Sequence, residues 1–78
     1  MNTAPQIGSE EMSFAALLRK YRIEAGLSQE ALASICDLHR TEISLLERSK
    51  RSPRLETIVI LSRGLQLASP AMLLEGIA

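Results

Sequence analysis

The cations of this chain are concentrated in residues 39–54, which read HRTEISLLERSKRSPR. The chain as a whole has nine Lys and Arg residues and nine Asp and Glu residues, so its formal net charge is zero. A local excess of positive charge is typical of a surface that contacts nucleic-acid phosphates. The alternative is a solvated surface that stabilises the end of a helix. The charges of the stretch are Arg40, Arg48, Lys50, Arg51 and Arg54 against Glu42 and Glu47.

The residue types do not indicate an enzyme. The chain contains one histidine, His39, and one cysteine, Cys36. Ser28, Ser44 and Glu42 offer hydroxyl and carboxylate groups, but a nucleophile, a base and an orienting group cannot be assembled around a single histidine. We therefore predict no catalytic residue, no metal and no cofactor. We expect His39 to be a surface turn residue and Cys36 a small apolar residue at a helix end.

Length and composition indicate one small domain. At 78 residues the chain has room for one core, and its lone cysteine fits a reducing cytosol. No apolar run approaches the roughly 18 residues of a membrane-spanning helix, and the N-terminus lacks the features of a signal peptide. Phe14 and Tyr21 are the only aromatic residues, which argues against single-stranded nucleic-acid binding by base stacking. We expect a cytoplasmic protein with no membrane partner.

Apolar residues recur at helical spacing after residue 12, and no strand-like alternation is present. Residues 1–11 show no sustained period and are predicted to be a flexible arm, which leaves residues 12–78 as the domain. The prediction is an all-α, five-helix domain with helices at about 13–25, 28–36, 40–48, 55–66 and 71–75. The apolar residues expected on inward faces are Phe14, Leu17, Leu18, Tyr21, Ala31, Leu32, Ile35, Leu55, Ile58, Leu61 and Leu65.

The second and third predicted helices, joined by a short turn, match a helix-turn-helix at about 28–48. In that motif the N-terminal part of the second helix enters the major groove of DNA. With Ile43 directed inward, a step of 100° per residue places Leu46 and Glu47 inward as well. The candidate base-reading residues on the outward side are Arg40, Thr41, Ser44 and Leu45, and those that would meet phosphates are Arg48, Lys50, Arg51 and Arg54.

The run LSQEALASICDLHRTEISLLERSKRSPRLETI resembles the Cro/C1-type helix-turn-helix repressors, also called the XRE family. The matching pieces are residues 26–30, Ile43-Ser44, Glu47-Arg48, Pro53, residues 55–57 and residues 65–67. Within that family the chain is most similar to the controller proteins of restriction–modification systems. The resemblance implies a lambda-repressor-like fold and a sequence-specific regulator of transcription that binds double-stranded DNA, without a small-molecule ligand.

The resemblance also implies roles for individual residues. Arg40 and Thr41 match base-reading positions, and Gln29 matches a position that contacts the DNA backbone or an adjacent side chain. Arg22 and Glu47 match a partly buried structural ion pair, which geometry also favours because both lie on the inward flanks of their helices.

Three residues depart from the family pattern. Asp37 stands where glycine is usual, and aspartate tolerates left-handed backbone better than most residues. His39 stands where serine or threonine caps the recognition helix, so a weak cap is expected. Glu42 replaces an uncharged or aromatic residue; it would either accept a hydrogen bond from a cytosine amino group or pair with a nearby arginine.

The C-terminal third has more apolar residues than five short helices can bury, and two interpretations follow. The surplus either completes the monomer core or forms a symmetric homodimer through a segment at about 58–78, which we favour because such domains bind paired half-sites. A different class of function, an antitoxin-like or other interaction module whose apolar face holds a partner protein, is also open. The candidate interface residues are Val59, Ile60, Met72, Leu74 and Ile77.

Overall fold

The computed structural model describes residues 13–75, so the predicted arm at 1–11 and Ile77 lie outside the described residues. Over this range the chain folds into five α-helices and no strand, which confirms the predicted fold class. Within the same range, no helix is long and apolar enough to cross a membrane. The helices are α1 (Phe14–Glu24), α2 (Gln29–Cys36), α3 (Arg40–Glu47), α4 (Leu55–Gly64) and α5 (Ala71–Leu74).

Side-chain caps fix where the first three helices begin. Ser13 Oγ accepts a hydrogen bond from the backbone N–H of residue 16 at 3.1 Å, and Ser28 Oγ accepts one from that of residue 31 at 3.0 Å. His39 also caps α3, because its Nδ1 accepts from the N–H of Thr41 at 3.0 Å. The imidazole thus replaces the expected serine or threonine hydroxyl, and the first turn of α3 has a side-chain cap.

The first four helices end in the same backbone turn, in which the chain reverses through a left-handed residue. Gly26 occupies this position after α1 with φ of 74°, and Asp37, Ser49 and Gln66 occupy it after α2, α3 and α4 with φ of 58°. After α2, for example, Leu38 N donates to the carbonyl of residue 33 at 2.8 Å. The prediction that Asp37 sustains the left-handed turn between α2 and α3 is therefore confirmed.

The core forms where α3 packs on α1 and α2, α4 packs on α2, and α5 packs on α1 and α4. The prediction that Ile35 and Leu55 face inward is wrong, since Ile35 is 55% exposed and Leu55 is 68% exposed. Leu55 is the first residue of α4 and precedes the part of that helix that is buried. The buried apolar residues are Phe14, Ala15, Leu17, Leu18, Leu32, Ala33, Cys36, Ile43, Leu46, Ile58, Leu61, Leu65 and Leu73.

Small residues form the closest contact between α2 and α4. α2 buries Ala33 and Cys36, and α4 approaches them through Gly64. A Cβ atom built on Gly64 would overlap the Sγ atom of Cys36. Ile35 borders this contact, with its Cγ2 atom 3.4 Å from that Cβ position, although the residue as a whole remains exposed.

A buried ion pair joins α1 to the C-terminal end of α3. Arg22 Nε donates to Glu47 Oε2 at 2.6 Å and Arg22 Nη2 donates to Glu47 Oε1 at 3.0 Å, with side chains that are 11% and 3% exposed. The remaining nitrogen, Nη1, donates to the carbonyl of Leu27 at 2.9 Å, and Gln29 Nε2 donates to Glu47 Oε1 at 3.2 Å. The hydrogen bond to Glu47 raises the pKa of Arg22 despite the opposing effect of burial. These hydrogen bonds around the Arg22 guanidinium and the Glu47 carboxylate thus fix the positions of α1, the start of α2 and α3 relative to one another.

We predict that Glu47→Ala lowers the free energy of unfolding by about 3–5 kcal/mol, because the Arg22 guanidinium is left buried without its partner. Urea denaturation followed by circular dichroism measures the loss. The matched control is Glu24→Ala, since Glu24 is exposed at the end of α1. A loss at Glu47 no larger than that at Glu24 would contradict the structural role of the pair.

We predict that Gly64→Ala destabilises the protein by about 1–3 kcal/mol, although alanine in a helix is normally favoured over glycine by roughly 0.5–1 kcal/mol. The new methyl group would overlap Cys36 Sγ. In a Cys36→Ala background the same substitution should cost much less, because the overlapping sulfur is gone. A double-mutant cycle of thermal unfolding tests this, and additive effects would refute the close contact as the cause.

Candidate nucleic-acid interface

The third helix, α3, is anchored by its inward face. Ile43 and Leu46 are 0% and 1% exposed, and Glu47 lies on the same side in the ion pair with Arg22. At the N-terminal end of the helix, Arg40 and Thr41 are exposed. The helix therefore presents its first turn to the outside while its inward face is held in the core.

The other two predicted base-reading residues, Ser44 and Leu45, are less exposed than the outward positions predicted from helical geometry. Ser44 and Leu45 are half-buried, at the border between the inward and outward faces of α3. Ser44 Oγ accepts a hydrogen bond from Arg48 Nε at 3.2 Å, so the hydroxyl already orders the cation one turn further along. The exposed surface of α3 is consequently concentrated on Arg40 and Thr41.

The four cations that were predicted to meet phosphates are all exposed, and they follow α3 in the loop that leads to α4. Arg48 is the C-cap residue of α3, and Arg54 is the N-cap residue of α4, where its side chain makes no capping bond. Arg51 differs from the others because it forms an ion pair with Glu42. Within residues 13–75 the ion pairs are this one and Arg22–Glu47, so Arg40, Arg48, Lys50 and Arg54 have no carboxylate partner there.

Glu42, one of the three residues that depart from the family pattern, pairs with a nearby arginine, which is one of its two expected roles. Sequence reasoning did not identify Arg51 as the partner, because the direction of the loop after α3 cannot be read from helical spacing. Gln29, predicted at the DNA backbone, is half-buried and donates to Glu47. Of the two contacts that the resemblance implied for Gln29, the one with an adjacent side chain is present.

The lone cysteine lies at the contact between α2 and α4. Burial raises the pKa of the Cys36 thiol, so the thiol stays protonated at neutral pH. Its Sγ lies 3.7 Å from the carbonyl oxygen of Ile60. Cys36 is therefore a buried apolar residue, as predicted.

The predicted dimer residues divide between half-buried and exposed positions. Val59 and Met72 are half-buried, and Ile60 and Leu74 are exposed apolar side chains. Leu73, which belongs to the same apolar surplus, is fully buried and completes the core of the monomer. The apolar surplus is thus shared between the monomer core and the surface.

This arrangement of helices matches known proteins. The chain matches the family described as Helix-turn-helix (HTH_3) over residues 18–71. Control protein C.SmaI of Serratia marcescens is 45% identical over 56 residues, which are 72% of this chain and 67% of that protein. The crystal structure of the restriction-modification controller protein C.AhdI from Aeromonas hydrophila has a TM-score of 0.75 at 34% identity, and the match covers 83% of this chain and 97% of that one.

The DNA-binding domain of the P22 c2 repressor has a TM-score of 0.78 at 32% identity, and the match covers 85% of this chain and 86% of that one. The lambda-repressor-like architecture expected from the sequence is therefore confirmed, and the family is one of DNA-binding regulators rather than enzymes. The chain belongs to the XRE-type helix-turn-helix family, and it is a DNA-binding regulator similar to the controller proteins of restriction–modification systems.

Proposed function

We propose that this chain regulates transcription by binding, as a homodimer, to a pseudo-palindromic operator in double-stranded DNA, in the manner of a restriction–modification controller protein. The observation that supports this most is the exposed first turn of α3, which carries Arg40 and Thr41 on a helix whose orientation is fixed by the buried Arg22–Glu47 pair. A reading helix has to keep its orientation while it enters the major groove, and the pair supplies that constraint.

Base reading is assigned to the outward residues of α3. The Arg40 guanidinium can donate two hydrogen bonds to guanine O6 and N7, and Thr41 offers a hydroxyl and a methyl group. Leu45, at the border of the exposed face, suits contact with a thymine methyl group. Ser44 stands beside it with a hydroxyl that orders Arg48.

Phosphate contacts are assigned to the cations that follow α3. Such contacts fix the register and orientation of the protein on the duplex without reading its sequence. Arg48, Lys50 and Arg54 are exposed and suited to this role, and Arg51 joins them once its guanidinium leaves Glu42. Gln29 is the proposed backbone contact from α2, where its amide keeps one N–H beyond the bond to Glu47.

The homodimer is assigned to the apolar surface of α4 and the C-terminal segment at about 58–78. Ile60 and Leu74 are exposed there, with Val59 and Met72 half-buried beside them; Ile77, outside the described residues, is assigned to the same surface. A two-fold axis through this surface would present two copies of α3 to half-sites about 34 Å apart, or a multiple of that distance.

An antitoxin-like interaction module would also use an apolar surface, but the similarity to control proteins favours the regulator. Selection of bound sites from random duplex DNA is the experiment that decides. Recovery of a two-fold related sequence supports the proposal, and recovery of no sequence preference would refute it.

We predict that Arg40→Ala relaxes preference at one base position of each half-site, with a loss of about 1–3 kcal/mol on the operator and little change on random duplex. The matched control is Lys50→Ala, which should weaken binding to both duplexes and make the dependence of log K on log salt shallower by about one unit. Fluorescence anisotropy over a range of salt concentrations measures both effects. Equal losses for Arg40→Ala on the two duplexes would exclude Arg40 as a base reader.

We predict that Ile60→Asp raises the dissociation constant of the homodimer by at least about tenfold, because a carboxylate would have to be buried at the interface at a cost above roughly 1.4 kcal/mol. Sedimentation equilibrium measures the constant. Ile23→Asp is the control, since Ile23 is an exposed apolar residue on α1, outside the proposed surface. A dimer that tolerates Ile60→Asp as well as Ile23→Asp would place the interface elsewhere.

A further inference from the structure

The ion pair between Glu42 and Arg51 lies on the surface that the proposed function turns towards DNA. Glu42 belongs to the first turn of α3, beside the exposed Arg40 and Thr41. Arg51 is in the loop that follows the helix, and the two side chains are 24% and 52% exposed. The carboxylate of Glu42 thus neutralises one of the cations assigned to phosphate contact.

We propose that Glu42 determines how strongly the protein discriminates its operator from other DNA. In the free protein the Glu42 carboxylate forms an ion pair with the guanidinium of Arg51. Arg51 transfers from Glu42 to a DNA phosphate only when α3 is seated on its operator. This inference rests on the proposed function, since it assigns a specificity role within the same interface.

The exchange is feasible because carboxylate and phosphate offer a guanidinium the same kind of charge-assisted hydrogen bonds. An exposed ion pair contributes little, so a phosphate held at the right place can displace the carboxylate. Glu42 is not stranded afterwards: it remains partly exposed to water, and the positive end of the α3 dipole stabilises an anion in the first turn. Both partners of the pair therefore have a favourable environment after it opens.

Whether Arg51 leaves Glu42 depends on how firmly the DNA backbone is held against the protein. On the operator, base contacts by Arg40 and Thr41 fix α3 in the groove, and a phosphate stays opposite Arg51. On unrelated DNA those base contacts are missing, and the DNA backbone is held only by its charge. No phosphate then stays opposite Arg51, so the ion pair of Arg51 with Glu42 persists. Arg48, Lys50 and Arg54, which have no carboxylate partner within residues 13–75, then supply the contacts common to both complexes.

The test is the salt dependence of binding by Glu42→Gln, which keeps the size of the side chain and removes its charge. Each additional phosphate contact makes the slope of log K against log salt steeper by about 0.9, equivalent to roughly eightfold tighter binding at 0.1 M salt. We expect this steepening on random duplex and an unchanged slope on the operator, where the wild type already uses Arg51. The discrimination between the two duplexes should therefore fall.

Arg51→Gln is the complementary variant and should do the reverse, with a shallower slope on the operator and an unchanged slope on random duplex. In the Arg51→Gln background, Glu42→Gln should no longer change the slope on random duplex. An effect of Glu42→Gln that is equal on the two duplexes, or that persists without Arg51, would show a general loss of repulsion and overturn the exchange. Loss of preference at a cytosine position would instead make Glu42 a base reader, which also overturns it.

The same titrations distinguish a failure of the Glu42–Arg51 exchange from a failure of the proposed function. Wild-type protein that prefers its selected operator, combined with slopes that Glu42→Gln leaves unchanged on both duplexes, refutes the exchange and leaves the proposed function standing. Wild-type protein that discriminates no duplex refutes the proposed function and the exchange with it. Circular dichroism of each variant verifies the fold, which surface substitutions at Glu42 and Arg51 should not disturb.

Discussion

The orientation of α3 depends on the buried pair of Arg22 and Glu47. Apolar contacts by Ile43 and Leu46 hold this face of the helix against the core, but such contacts have little directional preference and permit small rotations of the helix about its axis. A guanidinium that donates two parallel hydrogen bonds to a carboxylate does have a direction. Because the third nitrogen is fixed to the carbonyl of Leu27, the pair restricts the rotation of α3 that the apolar contacts still permit.

The turns at the ends of the helices and one close helix contact define the rest of the fold around this pair. Each of the first four helices ends in a left-handed residue, and three of these residues are not glycine. A residue with a side chain is disfavoured in that conformation. At each of the turns at Asp37, Ser49 and Gln66, the next residue donates a backbone hydrogen bond to the last turn of the preceding helix, which stabilises the left-handed conformation. The close approach of Gly64 to Cys36 brings α4 against α2, and α2 in turn packs on α3.

Helix boundaries and fold class could be predicted from the sequence because caps and apolar spacing are local signals. Ser13, Ser28 and Gly26 mark helix ends by chemistry that does not depend on the rest of the chain. The inward placement of Ile35 and Leu55 was wrong because periodicity gives the direction of a face only approximately, and the packing partner decides the remainder. The contact of Gly64 with Cys36 and the pairing of Glu42 with Arg51 join residues whose separation along the chain carries no periodic signal.

The distribution of charge explains how a neutral chain can present a cationic surface. Glu47 lies near the cations in sequence, but it is buried against Arg22, so it subtracts little from the field outside. Glu42 is different, because it remains at the surface and neutralises one cation, whereas Arg40, Arg48, Lys50 and Arg54 have no carboxylate partner among residues 13–75. A regulator competes against a large excess of unrelated DNA, and cations that are always free bind operator and competitor alike. A cation released only by a correctly seated helix strengthens the operator complex alone, so an acidic residue in the reading helix can raise discrimination while it lowers overall affinity.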